Sequence, residues 1–166
     1  MFGVSRRSIF IAAMMLLSGC GIYTFTGQGI GGIKSIAVEP IDNQTPEFGL
    51  GDNLTDAIVS KLLSDRTLTV ADRASAEALL SGRIVSFTEA PLSYTSSEVL
   101  TENQVRITAA FELRRPDSTT PLWEGQITGV GSYPYSESNL ESRNEGLKKA
   151  LDDITTNLIN KLTSDW

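Results

Sequence analysis

Histidine is absent from the 166 residues. That removes the commonest general base and the commonest neutral metal ligand. Cysteine occurs once, at position 20, so no disulfide can form within the chain and no Cys/His zinc site can be assembled. Beyond that cysteine, no run is long and apolar enough to read as a membrane-spanning helix. Positive charge is in short supply: 14 Lys+Arg stand against 20 Asp+Glu, for a formal net charge of −6. A surface of that sign is a poor match for nucleic acid. No Gly-x-Ser-x-Gly elbow and no Gly-Lys-Ser phosphate loop is present. The reading is a protein with no catalytic residues, no cofactor and no metal.

What the chain does have begins at its N-terminus. Arg6 and Arg7 are followed by an unbroken apolar run from Ile9 to Leu17, too short to span a bilayer. Ser5-Arg6-Arg7 is a faint echo of a twin-arginine signal, but Ser8-Ile9-Phe10 does not continue it, and an ordinary secretion signal fits better. Leu17-Ser18-Gly19-Cys20 then resembles the bacterial lipobox: small residues enter a narrow peptidase site and the thiol takes a diacylglycerol. Residues 1–19 are therefore read as a lipoprotein signal peptide and Cys20 as the lipidation site, carrying diacylglycerol and an acyl chain such as palmitate. Acylation also caps a lone thiol that an oxidising compartment would attack, and several acyl chains anchor stably where one does not. Gly21, where an Asp would favour inner-membrane retention, leans towards the outer membrane. Loss of Arg6 and Arg7 with the leader lowers the basic count by two, so the formal charge moves from −6 to −8.

Residues 20–32 hold the lipidated cysteine and a glycine-rich stretch, read either as a tether or as a segment whose Tyr23 and Phe25 pack on a partner. Residues 33–166 suit a single domain. Lys34 to Glu39 alternates, with Ile36 and Val38 on one face, and Pro40 closes this strand. Asn43-Gln44-Thr45 belongs to a polar turn. Leu50, Leu54, Ala57, Ile58 and Leu62 form one stripe of a helix over about 48–64. Residues 72–80 are expected to make a helical turn. Gly82 to Glu89 reads as a strand that Pro91 interrupts, and 89–103 as either a long loop or a strand extension carrying Tyr94. Val105 to Leu113 alternates most clearly of all, and should pair as a hairpin with Leu122 to Tyr133 across the turn at 116–121. Gly125, Gly129 and Gly131 share one face of that second strand and leave room for another element to come close.

Ser138-Asn139-Leu140-Glu141 resembles a capping box, opening a long helix whose stripe is Leu140, Leu147, Leu151, Ile154, Leu158 and Leu162. Trp166 either packs back on the sheet or ends exposed. The fold class expected is α+β: a single mixed or antiparallel four-stranded sheet with both amphipathic helices on one face.

Two charge groupings remain. Asp152 and Asp153 are neighbours on a helix and point apart. Glu137, Glu141 and Glu145, with Arg143 nearby, are spaced either as a cation site or as a solvated helix start. Arg106 and Arg114 share one face of the clearest strand, and Lys148 and Lys149 sit on the last helix. With Arg83 these five are the candidate contacts to the phosphates of an anionic lipid, weighed against ordinary solvent-facing charges paired with nearby Glu residues.

Several runs now stand in one order: the lipobox and Gly21-Ile22-Tyr23; Ile33 to Thr45; Leu54-Thr55-Asp56-Ala57; Leu80-Ser81-Gly82-Arg83-Ile84; Pro91-Leu92-Ser93-Tyr94; Leu122-Trp123; and a terminal helix closing on tryptophan. That order resembles the LptE family of lipopolysaccharide-assembly lipoproteins over most of the mature chain. The resemblance implies a small sheet backed by two helices, lipid-anchored at the outer membrane and facing the periplasm. It implies that the chain plugs and helps assemble the LptD β-barrel, and assists lipopolysaccharide insertion into the outer leaflet. It also implies lipopolysaccharide as a ligand, but maps none of the five basic positions, which rest on charge. The three strand glycines are then expected to allow close approach to a barrel wall. Two other readings stand beside it. A periplasmic regulator lipoprotein that activates a cell-wall synthase would need a longer tether than residues 21–32. A lipoprotein hydrolase would need a clustered acid or nucleophile pair.

Overall fold

The computed structural model describes residues 30–94, 100–135 and 140–164. In chain order these are a short 3-10 turn at Ile30–Gly32, then β1 (Ser35–Val38), β2 (Asp42–Asn43), α1 (Leu50–Asp65), β3 (Thr69–Val70), β4 (Ala78–Tyr94), β5 (Leu100–Arg114), β6 (Pro121–Pro134) and α2 (Leu140–Thr163). The capping box at Ser138, Glu137 and Trp166 lie outside the described residues.

The fold is the expected mixed α+β arrangement. The sheet runs β3-β1-β4-β5-β6, with β2 beside β4. The four expected strands are β1, β4, β5 and β6. The six-stranded total comes from β2 and β3, two residues each: β3 falls within Leu68-Thr69-Val70, which reads in the sequence as a short extended piece, while β2 is too short to carry an alternation. β1 is parallel to β3 and β4, while β4, β5 and β6 form an antiparallel meander.

Three boundaries differ from expectation. Ala78, Leu79 and Leu80 lie in β4 rather than in a helical turn: they pair with Ile36, Ala37 and Val38, and all three are buried. Pro91 does not interrupt β4, which continues to Tyr94, so the strand-extension reading of this region holds. Past Ile84, β4 is paired on the β5 side only, and the ladder is irregular between Pro91 and Ser93. A proline is tolerated in such an edge segment because its missing N–H costs no second ladder bond. Third, Leu140 is not on the apolar stripe of α2; it is 77% exposed, and the buried face is Gly146, Ala150, Leu151, Ile154, Thr155, Leu158, Ile159 and Leu162.

The core lies between one face of the sheet and the two helices. Val105, Ile107, Ala109, Phe111 and Leu113 of β5 all face it, beside Ile36, Leu80 and Ile84. Leu50, Leu54, Ile58 and Leu62 cover it from α1, as the helical stripe predicts. From α2, small residues let the backbone come down onto β6, where a Cβ built on Gly129 or Gly131 would meet Ala150 and Gly146. The glycines therefore do accommodate a close neighbour, but for Gly129 and Gly131 it is the chain's own helix rather than a barrel wall. Gly125 lies instead against the Trp123 indole.

Candidate functional site

The helices leave one face of the sheet uncovered. Register places Ser81, Arg83, Ser86 and Thr88 of β4, Arg106, Thr108, Ala110 and Glu112 of β5, and Glu124, Gln126, Thr128 and Val130 of β6 on that face. Alternation dictates the choice: each of these residues neighbours a core residue along its strand. The Thr108 and Thr128 hydroxyls bond across the β5–β6 ladder at 2.9 Å. Among the described residues one corner of that face is closed, where Ala37, Ala76 and Leu79 form a second small apolar cluster.

Three of the five basic candidates share this surface. Arg83 pairs in register with Ala110, and Arg106 and Arg114 lie four residues to either side along β5. Their backbone positions are thus spaced at about 14 Å along the strand axis. Arg106 donates to Gln104 at 3.1 Å, and Arg114 lies 3.7 Å from the Glu112 carboxylate. The lysines lie elsewhere. Lys148 bonds Asp152 at 2.7 Å, which raises its pKa, and lines a groove of about 840 Å³ between α1 and α2. Lys149 donates to the Ser132 carbonyl at 3.2 Å, at the edge of β6. The structure therefore joins the arginines on one face and separates both lysines from them.

At the end of the domain where α2 begins, Arg143 holds a charged junction that sequence reasoning missed. Its guanidinium makes a two-pronged contact with Glu47, at 3.0 and 2.8 Å, and also reaches Glu89, at 3.0 Å. The Tyr133 hydroxyl donates to Glu89 and accepts from Asn103 at 3.1 Å. The guanidinium carbon stands 5.9 Å from the Phe87 ring centroid, within cation–π range. Glu47 is held below the usual carboxylate range by its bonds from Arg143, which outweigh burial. Arg143 is pushed further up by Glu47 first and Glu89 second. Of the two readings of the charges around Arg143, neither predicted this: its acidic partners come from the loop before α1 and from β4, 96 and 54 residues away, so no local spacing could signal them.

Among the described residues no three His, Cys, Asp or Glu side chains are grouped to hold a metal ion, and no helix is long and apolar enough to cross a membrane. The surfaces on offer are a broad polar sheet face, a groove between the helices where Ala57, Leu147 and Leu151 lie among polar side chains, and a charged junction.

Residues 33–165 match the family described as LptE, lipopolysaccharide-assembly. The chain belongs to the LptE family. Solved structures share the fold of this LptE domain at low identity. The hypothetical protein CT253 from Chlamydia trachomatis superimposes with a TM-score of 0.58 at 10% identity, covering 78% of this chain and 95% of that one. A minor lipoprotein from Acinetobacter baumannii gives 0.54 at 14%, covering 79% and 93%. A PelC dodecamer from Paraburkholderia phytofirmans gives 0.51 at 16%, covering 79% and 89%. At such identities the likeness is one of fold. No curated protein sequence matches the chain significantly.

Proposed function

We propose that this LptE-family chain is an outer-membrane lipoprotein, anchored through lipid on Cys20 and facing the periplasm, that plugs the LptD β-barrel. There it helps the barrel assemble and assists passage of lipopolysaccharide to the outer leaflet. The family match across residues 33–165 carries the reading. The surface supports it. A barrel lumen is polar, and both sides of this domain present polar groups: Ser86, Thr108, Gln126 and Thr128 on the sheet, Asn53, Ser60, Asn144 and Thr156 around the helical groove. A plug needs neither a catalytic group nor a cofactor.

Arg83, Arg106 and Arg114 are the proposed contacts to lipopolysaccharide phosphates on the sheet face, since arginine binds phosphate through paired hydrogen bonds. Lys148 and Lys149 would meet it from the helical side. A mild-detergent pull-down of the tagged mature protein from its own outer membranes tests the partner. One large β-barrel recovered at equal stoichiometry is the expected outcome. Recovery of a cell-wall synthase, or of no barrel, would overturn the proposal.

A further inference from the structure

The outer edge of β6 is half covered. In its upper half, the Val130 N–H donates to Asp153 at 3.1 Å, and the Ser132 carbonyl accepts from Lys149 at 3.2 Å. Both α2 side chains stand where a seventh strand would pair, a common way of blunting an exposed edge. The same bonds fix which β6 groups turn outward. Backbone direction alternates in an antiparallel ladder, so Glu124, Gln126 and Thr128 also point their N–H and C=O groups away from β5. Among the described residues no hydrogen bond reaches these groups on that side.

The helix α2 runs past this lower half without closing it. A recess of about 470 Å³ lies beside Gln126, Ile127 and Thr128, with Asn157, Asn160, Lys161 and Ser164 along its far wall. A strand edge and a helix thus wall one trough. Lys161 lines it and no carboxylate does, in a chain of net charge −6.

We infer that this trough takes an extended segment of a partner protein, added to β6 as an antiparallel strand, with an acidic side chain turned towards Lys161. Each of Glu124, Gln126 and Thr128 exchanges two hydrogen bonds with the residue opposite it, and antiparallel pairing continues the β4–β5–β6 meander. Main-chain bonds of this kind supply affinity, and side chains at alternate positions supply selectivity. The occupant's residues opposite Glu124, Gln126 and Thr128 share their open face. Its residue opposite Ile127 turns the other way, into the trough, where a negative charge is matched.

A second copy of the chain does not fit. The helix α2 lies directly over β6, since a Cβ on Gly129 or Gly131 would meet the Ala150 and Gly146 carbonyl oxygens. Two copies paired edge to edge about a two-fold axis would set their α2 helices about 4.8 Å apart, whereas packed helices stand about 8–10 Å apart. The open edge, about 17 Å long, is also far short of the roughly 800 Å² per partner that a stable association of folded domains buries. A single extended chain brings no helix of its own. The inference stands on the sheet edge, independently of the barrel reading.

The test uses the mature protein in mild detergent and capped heptapeptides. The probe is Thr-Val-Thr-Glu-Thr-Val-Thr, whose alternation puts Glu on the trough side when Thr pairs with Gln126. Titration followed by amide hydrogen exchange should show saturable binding and new protection of the Gln126 and Thr128 amides, while Ile107 and Ala109 keep their rates. N-methylation of the third, fifth and seventh residues, the donors aimed at β6, should weaken binding roughly 100-fold. Replacing Glu by Lys should weaken it about fivefold, and Lys161→Glu should reverse that preference. Gln126→Pro removes one outward donor at an edge position where proline is tolerated. It should weaken binding about tenfold and leave Ile107 and Ala109 protected. No binding of the probe, binding indifferent to N-methylation or to Gln126→Pro, or a Glu preference that is absent or survives Lys161→Glu would overturn the inference. So would protection of Gln126 and Thr128 before any peptide is added. None of these outcomes depends on recovery of a barrel.

Discussion

Gly131→Ala is expected to destabilise the domain by about 3 kcal/mol, at the upper end of what overpacking costs. A Cβ on Gly131 would lie 2.0 Å from the Gly146 carbonyl oxygen and 2.9 Å from the Ala150 nitrogen. On Gly129 it would lie 2.1 Å from the Ala150 carbonyl oxygen and 2.6 Å from Ile154. These obstacles are mostly helix backbone, which cannot rotate aside as a side chain can. Either substitution must lift α2 off β6, and with it Ile154, Leu158 and Leu162 from the core they fill. Lost close contacts along that seam add to the steric cost. Gly125→Ala is the control. Its Cβ would come nearest to the Trp123 indole, at 2.8 Å, a side chain that can shift, so a loss below about 1 kcal/mol is expected. Urea unfolding with unchanged m-values measures all three. A Gly131→Ala midpoint equal to that of the parent would show that α2 does not seat on β6 in this way.

The second large effect is expected at Arg143. Arg143→Met keeps the aliphatic stem but removes the donors that hold Glu47 and Glu89, whose side chains are only 23% and 25% exposed. Glu47 would then lose its charged partner and Glu89 would be left with the Tyr133 hydroxyl, two part-buried carboxylates with no cation between them, for a loss of about 2 kcal/mol at neutral pH. The pH profile gives a sharper signature. Glu47 titrates below its ordinary 4.5 in the folded protein, chiefly through its bonds from Arg143. Its contribution is therefore complete above about pH 4.5 and is lost as pH falls below that through the native value. Tyr133 moves the opposite way: burial, then its bond to Glu89, raise it above 10.0. That contribution is complete below pH 10 and lost as pH rises through the native value. Arg143→Met should flatten the Glu47 contribution to the acid limb and leave the alkaline limb in place. Stability measured from pH 3 to 11 checks both. An acid limb as steep as that of the parent would contradict the assigned role of Arg143.

The long elements were legible because each carries an uninterrupted period. Val105 to Leu113 alternates without a fault, and Leu50, Leu54, Ile58 and Leu62 stay on one helical face; both patterns reappear as core. Pro91 misled because its meaning depends on neighbours. It breaks a central strand but not an edge segment, and which of these β4 is at that point depends on where β2 ends. Leu140 misled because hydrophobic spacing does not say where a helix leaves the sheet. The glycines of β6 were read correctly as marking a close approach, yet only tertiary structure could say that α2 makes it. The five basic positions show the same limit: strand parity put Arg106 and Arg114 on one face, but nothing local could separate Lys148 and Lys149 from it. The junction at Arg143 joins residues from five segments, and no window of sequence contains it.

Enclosure within a barrel predicts contact on opposite sides of the domain at once. The most direct measurement is photo-crosslinking in intact cells from two exposed positions, Ser86 on the open sheet face and Thr156 in the helical groove. Each site should cross-link to the same large β-barrel protein. Cross-links from one face alone, or to a different protein, would contradict the plug.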